Sequence, residues 1–363
     1  MDWNEKKDLI SPSATEAVKA RNSFDVLRYF FAFSLILVHF CTLTDTPQFW
    51  FITGGTRVKA FFIITGFLVL YSILRSHTLK DYFLKRIRRI MPAYVACITL
   101  CLVTGLCLTD LSWKEFLTNG TTWKYYLSNI LFLNFLQPEL PGVFQDHAMT
   151  AMDGSLWSMK VEVCFYVVLP LLVWLLCKFR KGMVIACIFA LSVAQTLFFN
   201  HLYEKTGVEL YHTIQHQFGG QLVFFVGGMS LLLWFDALNR HLRWLFPVCL
   251  ILYLISEHWQ PLVYAEPLTF AVVIIGIAYH CPRLNFLFGV DNISYGLYLY
   301  HFPVIQVLIS LGLAQYNIYL CFITALFITF VVALLSWKFI EKPMLRKPYP
   351  GKPGRLPSSQ RPD

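Results

Sequence analysis

The sequence predicts an all-α, multi-pass integral membrane protein with about ten transmembrane helices, and three observations carry that expectation. Of 363 residues, 57% are apolar and only 14% charged, with a mean hydropathy of +0.56. Soluble chains carry about 25% charged residues, so this one has too few to cover a water-facing globule. Runs of about 18 or more residues with few charges recur along the whole length, each approaching the span of a bilayer. Lysine and arginine, finally, gather in alternate connecting segments. Disordered, collagen-like and ordinary soluble-enzyme classes are disfavoured on composition. The net charge of +9 is then a matter of location rather than a sign of nucleic-acid binding.

Residues 1–24 are polar, mix Asp2 and Glu5 with Lys6 and Lys7, and have no small-residue cleavage site before the first apolar run. They read as a cytoplasmic tail, not a signal peptide. Residues 25–345 make the transmembrane domain, with spans expected near 26–44, 58–75, 90–108, 157–177, 182–199, 219–236, 244–257, 263–280, 292–312 and 318–338. The run Tyr125–Phe135 is too short to cross and precedes Pro138, Pro141 and Gly142, which predicts a re-entrant or interfacial helix near 125–135. The stretch 346–363 is basic and Pro-rich (KPYPGKPGRLPSSQRPD from Lys347), a flexible cytoplasmic tail.

With the N-terminus inside, the inner segments, including Arg21, Arg240, Arg243 and Arg283, collect 22 of the 30 Lys and Arg. The outer loops hold four: Arg57, Lys114, Lys124 and Lys205. That asymmetry predicts a cell (inner) membrane protein with both termini cytoplasmic. The 10 Cys show no CxxC spacing and lie mostly within spans, as buried small apolar residues without disulfide or metal function. No Walker loop, GxGxxG or HExxH is present, which removes ATPase, nicotinamide and zinc-protease readings.

Ionisable groups inside spans are costly and mark function by default. In FDVLRYFFAFSLILVHF these are Asp25, Arg28 and His39. Eleven residues separate Arg28 from His39, about 16 Å of helix axis and close to three full turns, so both share one face. That face suits a long anionic ligand entering from the cytoplasm. The plainer reading makes Arg28 a topology anchor and His39 a partner for a neighbouring helix. DYFLKRIRRIMPAY places Arg86 and Arg89 on one helical face with Arg88 beside them, either as topology charges or as guanidinium forks for phosphates. DGSLWSMKVEVCFYVVLP brings Glu162 into a span near its outer side, one turn after Trp157 and Ser158. Its carboxylate suits orienting an imidazole, accepting a proton or pairing with Lys160. ISYGLYLYHFPV carries Ser294, Tyr295, Tyr298 and His301, as site residues or as core polar groups satisfied across helices. Trp123, Tyr125, Tyr126, Tyr211 and Trp259 read as interfacial anchors, with stacking on sugar rings as their other use.

Together these features resemble the membrane acyltransferase 3 family, multi-pass O-acyltransferases that modify surface polysaccharides and related glycans. The matching residues are FDVLR followed by His39 as an Arg-X10-His pair, FFIITGFL at 61–68, Arg86-x-x-Arg89 before Pro92, GSLWSMKVE at 154–162, SYGLYLYH at 294–301 and FIEKP at 339–343. They follow the family's order and cover the chain from about 24 to 345. Thr65 stands where the family has Ser and keeps the hydroxyl. No extracytoplasmic hydrolase-like domain, as fused to some larger members, is expected.

The resemblance implies acyl transfer from a cytoplasmic acyl-CoA, usually acetyl-CoA, to a hydroxyl of an extracytoplasmic glycan. Arg86 and Arg89, helped by Arg88 and Arg28, would hold the CoA phosphates. His39 would serve as general base or transient acyl carrier, and Glu162 would orient an imidazole. Asp25, Thr65, Trp157, Ser158, Ser294, Tyr295, Tyr298 and His301 would line the cavity. Acetyl-CoA is then a co-substrate and no metal is expected. The partners are acyl-CoA, a glycan or lipid-linked glycan, the bilayer and a second copy of the chain, but not nucleic acid. A glycan or lipid transporter or flippase, and an acyltransferase with a non-glycan acceptor, are the alternatives.

Overall fold

A backbone in apolar surroundings must satisfy its own N–H and C=O groups, which makes helices of the long apolar runs. The structure, a computed structural model, describes residues 5–20, 22–47, 54–256, 259, 262–280 and 291–346. Ten long helices follow the expected spans in order: α1 Phe24–Leu43, α2 Gly54–Leu74, α3 Leu79–Leu108, α4 Trp157–Lys178, α5 Lys181–Thr206, α6 Phe218–Leu233, α7 Phe235–Ser256, α8 Glu266–His280, α9 Ser294–Ser310 and α10 Ile318–Ser336. Seven are long and apolar enough to cross a membrane. Helices α6, α8 and α9 are shorter, at 16, 15 and 17 residues. No strand occurs among the described residues. The protein is an all-helical, multi-pass membrane protein, and Val103, Leu191, Ile251 and Phe327 are among the large apolar side chains left exposed on its flanks.

Three differences from the sequence reading matter for the site. Helix α3 starts at Leu79 rather than near 90, because Thr78 Oγ1 accepts the Asp81 N–H at 3.1 Å as an N-cap. Arg86, Arg88 and Arg89 therefore sit on a helix, not in a loop. The short apolar stretch folds as a helix over Gly120–Ile130 and a 3₁₀ turn over Asn134–Leu136, pinned to α3 by Tyr94 Oη donating to the Asn129 carbonyl at 2.9 Å. The N-terminal segment is docked: Leu9, Ile10 and Ala14 are buried, and Lys6 Nζ donates to the Ile73 and Ser76 carbonyls at the end of α2. Cys41, Cys97, Cys101, Cys249 and Cys321 are buried, whereas Cys107 and Cys187 are exposed, contrary to the expectation of buried thiols. Arg21, Arg283 and the basic tail from Lys347 lie outside the described residues.

Ring contacts set the helix register at the centre. Phe31–Phe61 at 6.2 Å and Phe24–Phe67 at 5.6 Å join α1 and α2 as antiparallel neighbours. Helix α9 packs against α1, α3 and α10, and α2 packs closely on α6. The N-terminal end of α1, the C-terminal end of α2 and the N-terminal end of α3 thus share one end of the bundle, here the basic end.

Candidate active site

A cavity of about 150 Å³ opens between α1, α2, α3, α4 and α9. Its lining includes Arg28, Thr65, Arg86, Arg89, Ser158, Glu162, Ser294, Tyr295 and Tyr298. Five segments thus meet at one site, four of them singled out for polar groups out of place in a membrane and the Thr65 segment for its family resemblance. The arginines face the basic end and are partly compensated. Asp25 Oδ1 holds Arg28 at 3.1 Å and accepts from Asn292 Nδ2 at 2.6 Å, so Asp25 supports the lining from behind. Arg89 lies 3.5 Å from the buried Glu341 and over the rings of Tyr295 and Trp337. Glu341 reaches it because the end of α10 widens into a π-helical turn over Trp337–Glu341, a distortion found often at functional sites. Arg86 donates to Ser72 Oγ at 3.1 Å, while its buried Nε has no hydrogen-bond partner among the described residues. A donor so placed suits an incoming anion. Arg88 and Trp157 are not part of the lining.

His39 and His301 lie outside the cavity lining and pair with each other. His301, expected as a lining residue, is fully buried, and its Nδ1 is 2.7 Å from the Tyr298 carbonyl and 3.1 Å from that of Leu297. A carbonyl only accepts, so this network assigns the proton to His301 Nδ1 and the lone pair to its Nε2. That lone pair accepts from His39 Nδ1–H at 2.6 Å, with the rings stacked 4.9 Å apart. Among the described residues His39 Nε2 has no hydrogen-bond partner, which leaves it the lone pair that a base or nucleophile requires. Tyr298 joins the two regions: it lines the cavity, and its ring is 6.2 Å from that of His301.

Glu162, expected to orient an imidazole, is not the hydrogen-bond partner of His39, which pairs with His301. Glu162 accepts from Thr65 Oγ1 at 3.4 Å and from Tyr166 Oη. The reason is depth. By the ring register Thr65 is level with residue 27, twelve residues and ~18 Å of axis away from His39. Glu162 thus acts among the arginines rather than on the imidazole. Tyr166, missed in the sequence, was signalled only by its i,i+4 spacing from Glu162.

Beyond His39, at the opposite end from the arginines, a second and more polar cavity of about 580 Å³ is lined by Leu43, Asp45, Asp110, Asp146, His147 and Gln315, among others. The buried Gln306 organises it: Nε2 donates to the Met149 and Ala151 carbonyls at 2.6 and 3.0 Å, and Oε1 accepts from His147 Nδ1 at 2.7 Å. The His147 ring stacks on Phe144 at 4.7 Å.

The His39–His301 pair thus lies between an arginine-lined cavity on one side and a more polar cavity on the other. A family model described as an acyltransferase domain matches residues 21–338. The chain belongs to that acyltransferase family. The acyltransferase is similar to nodulation protein 10 of Rhizobium leguminosarum bv. viciae, with 28% identity covering 93% of this chain and 96% of that protein. It is 26% identical to an O-acetyl transferase of Shigella phage Sf6, over 91% of this chain and 97% of the other. Peptidoglycan O-acetyltransferase OatA of Listeria monocytogenes is 24% identical over 81% of this chain, which spans only 52% of that protein's length. No solved structure matches the acyltransferase.

The loop entering α4 carries a pH dependence. Asp153 is buried, with Oδ1 accepting from Ser155 N–H at 2.9 Å and Oγ–H at 2.7 Å, yet burial pushes its carboxyl from 3.8 up to about 7. In the unfolded chain the group ionises at its ordinary value, so rising pH favours unfolding until the folded group ionises too. Stability of the acyltransferase is expected to fall between about pH 4 and pH 7. Asp153→Asn is expected to flatten that slope in thermal melting across the window.

Proposed function

We propose that the protein is an O-acyltransferase that moves an acyl group, most simply acetyl, from cytoplasmic acyl-CoA to a hydroxyl of an extracytoplasmic glycan. The observation that carries this reading is the His39–His301 pair, with its free Nε2 placed between the arginine cavity and the polar vestibule. Arg86, Arg89 and Arg28 would take the CoA phosphates at the basic end, and the thin pantetheine arm would run past Tyr295 and Tyr298 toward His39. The acceptor would enter by the vestibule, where carboxylates, amides and the Phe144–His147 stack suit the hydroxyls and faces of a sugar. His39 Nε2 would remove the proton of the acceptor hydroxyl and return it to the departing CoA thiolate.

The relatives named as O-acetyltransferases, one of them acting on peptidoglycan, support a glycan acceptor. The bias of Lys and Arg toward one set of connecting segments supports an inner-membrane protein with both termini cytoplasmic.

The test is purified protein with labelled acetyl-CoA and surface glycan, alongside mass spectrometry of glycans from deletion and wild-type cells. Labelled ester, and loss of one acetyl mass per repeat on deletion, are expected. Absence of both CoA binding and product would point to transport. Arg86→Ala is expected to raise the KM for acetyl-CoA by about 10- to 100-fold, the worth of a charge-assisted hydrogen bond, with a smaller change in kcat. An unchanged donor KM would remove Arg86 from the donor site.

A further inference from the structure

One ionised group has no part in this chemistry so far. Arg57, in the first turn of α2, is 0% exposed, and its Nε, Nη1 and Nη2 all lack a hydrogen-bond partner among the described residues. Lys59, two residues on, is by contrast paired with Glu266 at 2.8 Å. A guanidinium buried without a counter-charge is costly to fold, and such a cost is kept where a negative charge arrives during function.

Its position says where that charge would be. Arg57, Phe61, Thr65 and Leu68 recur at helical spacing on one face of α2, and the last three line the cavity. Arg57 prolongs that stripe beyond the cavity, on the side of the histidine pair. The Phe31–Phe61 and Phe24–Phe67 contacts put Arg57 level with Leu35, four residues or ~6 Å of axis from His39.

We propose that Arg57 binds the oxyanion formed on the acyl carbonyl when the acceptor attacks beside His39. This rests on the acyl-transfer reading and deepens it. As the hydroxyl oxygen bonds to the thioester carbon, its proton passes to His39 Nε2 and the carbonyl π pair moves onto oxygen. The guanidinium, already desolvated, meets that negative charge without reorganising. Collapse restores the carbonyl, breaks the C–S bond and expels CoA thiolate, which takes the proton back from His39. Ester and CoA–SH are the products.

The experiment compares wild type, Arg57→Met and Arg57→Lys, purified in lipid nanodiscs, for kcat, both KM values and thermal midpoint with acetyl-CoA and the glycan acceptor. Arg57→Met is expected to lose on the order of 10²- to 10³-fold in kcat, with both KM values held. Its thermal midpoint is expected to equal or exceed that of wild type, since an unpaired buried charge has been removed. A merely structural residue would lose stability and rate together, and that result overturns the proposal. So does a risen acceptor KM with kcat intact, which would make Arg57 a site for an acidic group of the acceptor. Should Arg57→Met not fold, Arg57→Lys decides alone: an ammonium without the guanidinium fork is expected to lower kcat about tenfold at wild-type stability, and a full wild-type rate overturns the proposal. Wild-type protein that transfers no acetyl group would sink the parent reading, a result distinct from active wild type matched by Arg57→Met.

Discussion

His39→Ala is expected to lower kcat for acetyl transfer by two to four orders of magnitude, the usual contribution of a positioned general base. The protein should still reach the membrane and bind the donor, because His39 lies outside the arginine cavity and its hydrogen bond is to one partner, His301. His301→Ala should cost less, since it leaves the base in place and removes only the acceptor that fixes its tautomer. The double variant is expected to be no slower than His39→Ala, as residues acting as a unit are not additive. Acetylation of surface glycan at the wild-type level by His39→Ala cells would end the catalytic assignment, and strict additivity of the two substitutions would end the pairing.

Helices at the ten expected places were legible as apolar runs, and in seven of them length and composition suffice to cross a membrane, unlike the short stretch near 125–135. Helix ends were less so. Counting charges truncated α3 at its arginines, yet Lys and Arg are good helix formers and Thr78 starts the helix before them. Candidate site residues were found one by one as polar groups that a bilayer should reject, and Arg28, Arg86, Glu162 and Tyr298 do converge. Their partners were not legible. His39 and His301 are 262 positions apart, and no periodicity within α1 or α9 states which helix packs beside which. For the same reason Glu162 was paired with an imidazole that lies about three turns away. Arg57 was hidden differently: in an outer connection it looked like ordinary topology charge, and only burial without a partner sets it apart.

Gly228→Ala is expected to cost the protein its fold. A Cβ on Gly228 would fall inside the contact distance of the Ile63 carbonyl oxygen, and one on Gly66 would do the same to the Phe225 carbonyl. Both obstacles are backbone, so no side chain can rotate away. Helices α2 and α6 must separate along the Ile63, Gly66 and Phe67 face of α2. Overpacking a core costs about 1–3 kcal/mol when side chains can yield, and here the backbones of two helices must move. Small residues at such crossings are how membrane helices gain contact without a hydrophobic driving force between them. Gly227→Ala, whose Cβ would stand 2.9 Å from the Pro267 carbonyl oxygen, should be milder, and Gly182→Ala, with nothing within 4 Å, should be silent. Membrane levels and thermal midpoints of the three variants check the order. A Gly228→Ala protein as abundant and as stable as Gly182→Ala would mean that the α2–α6 contact is looser than its geometry requires.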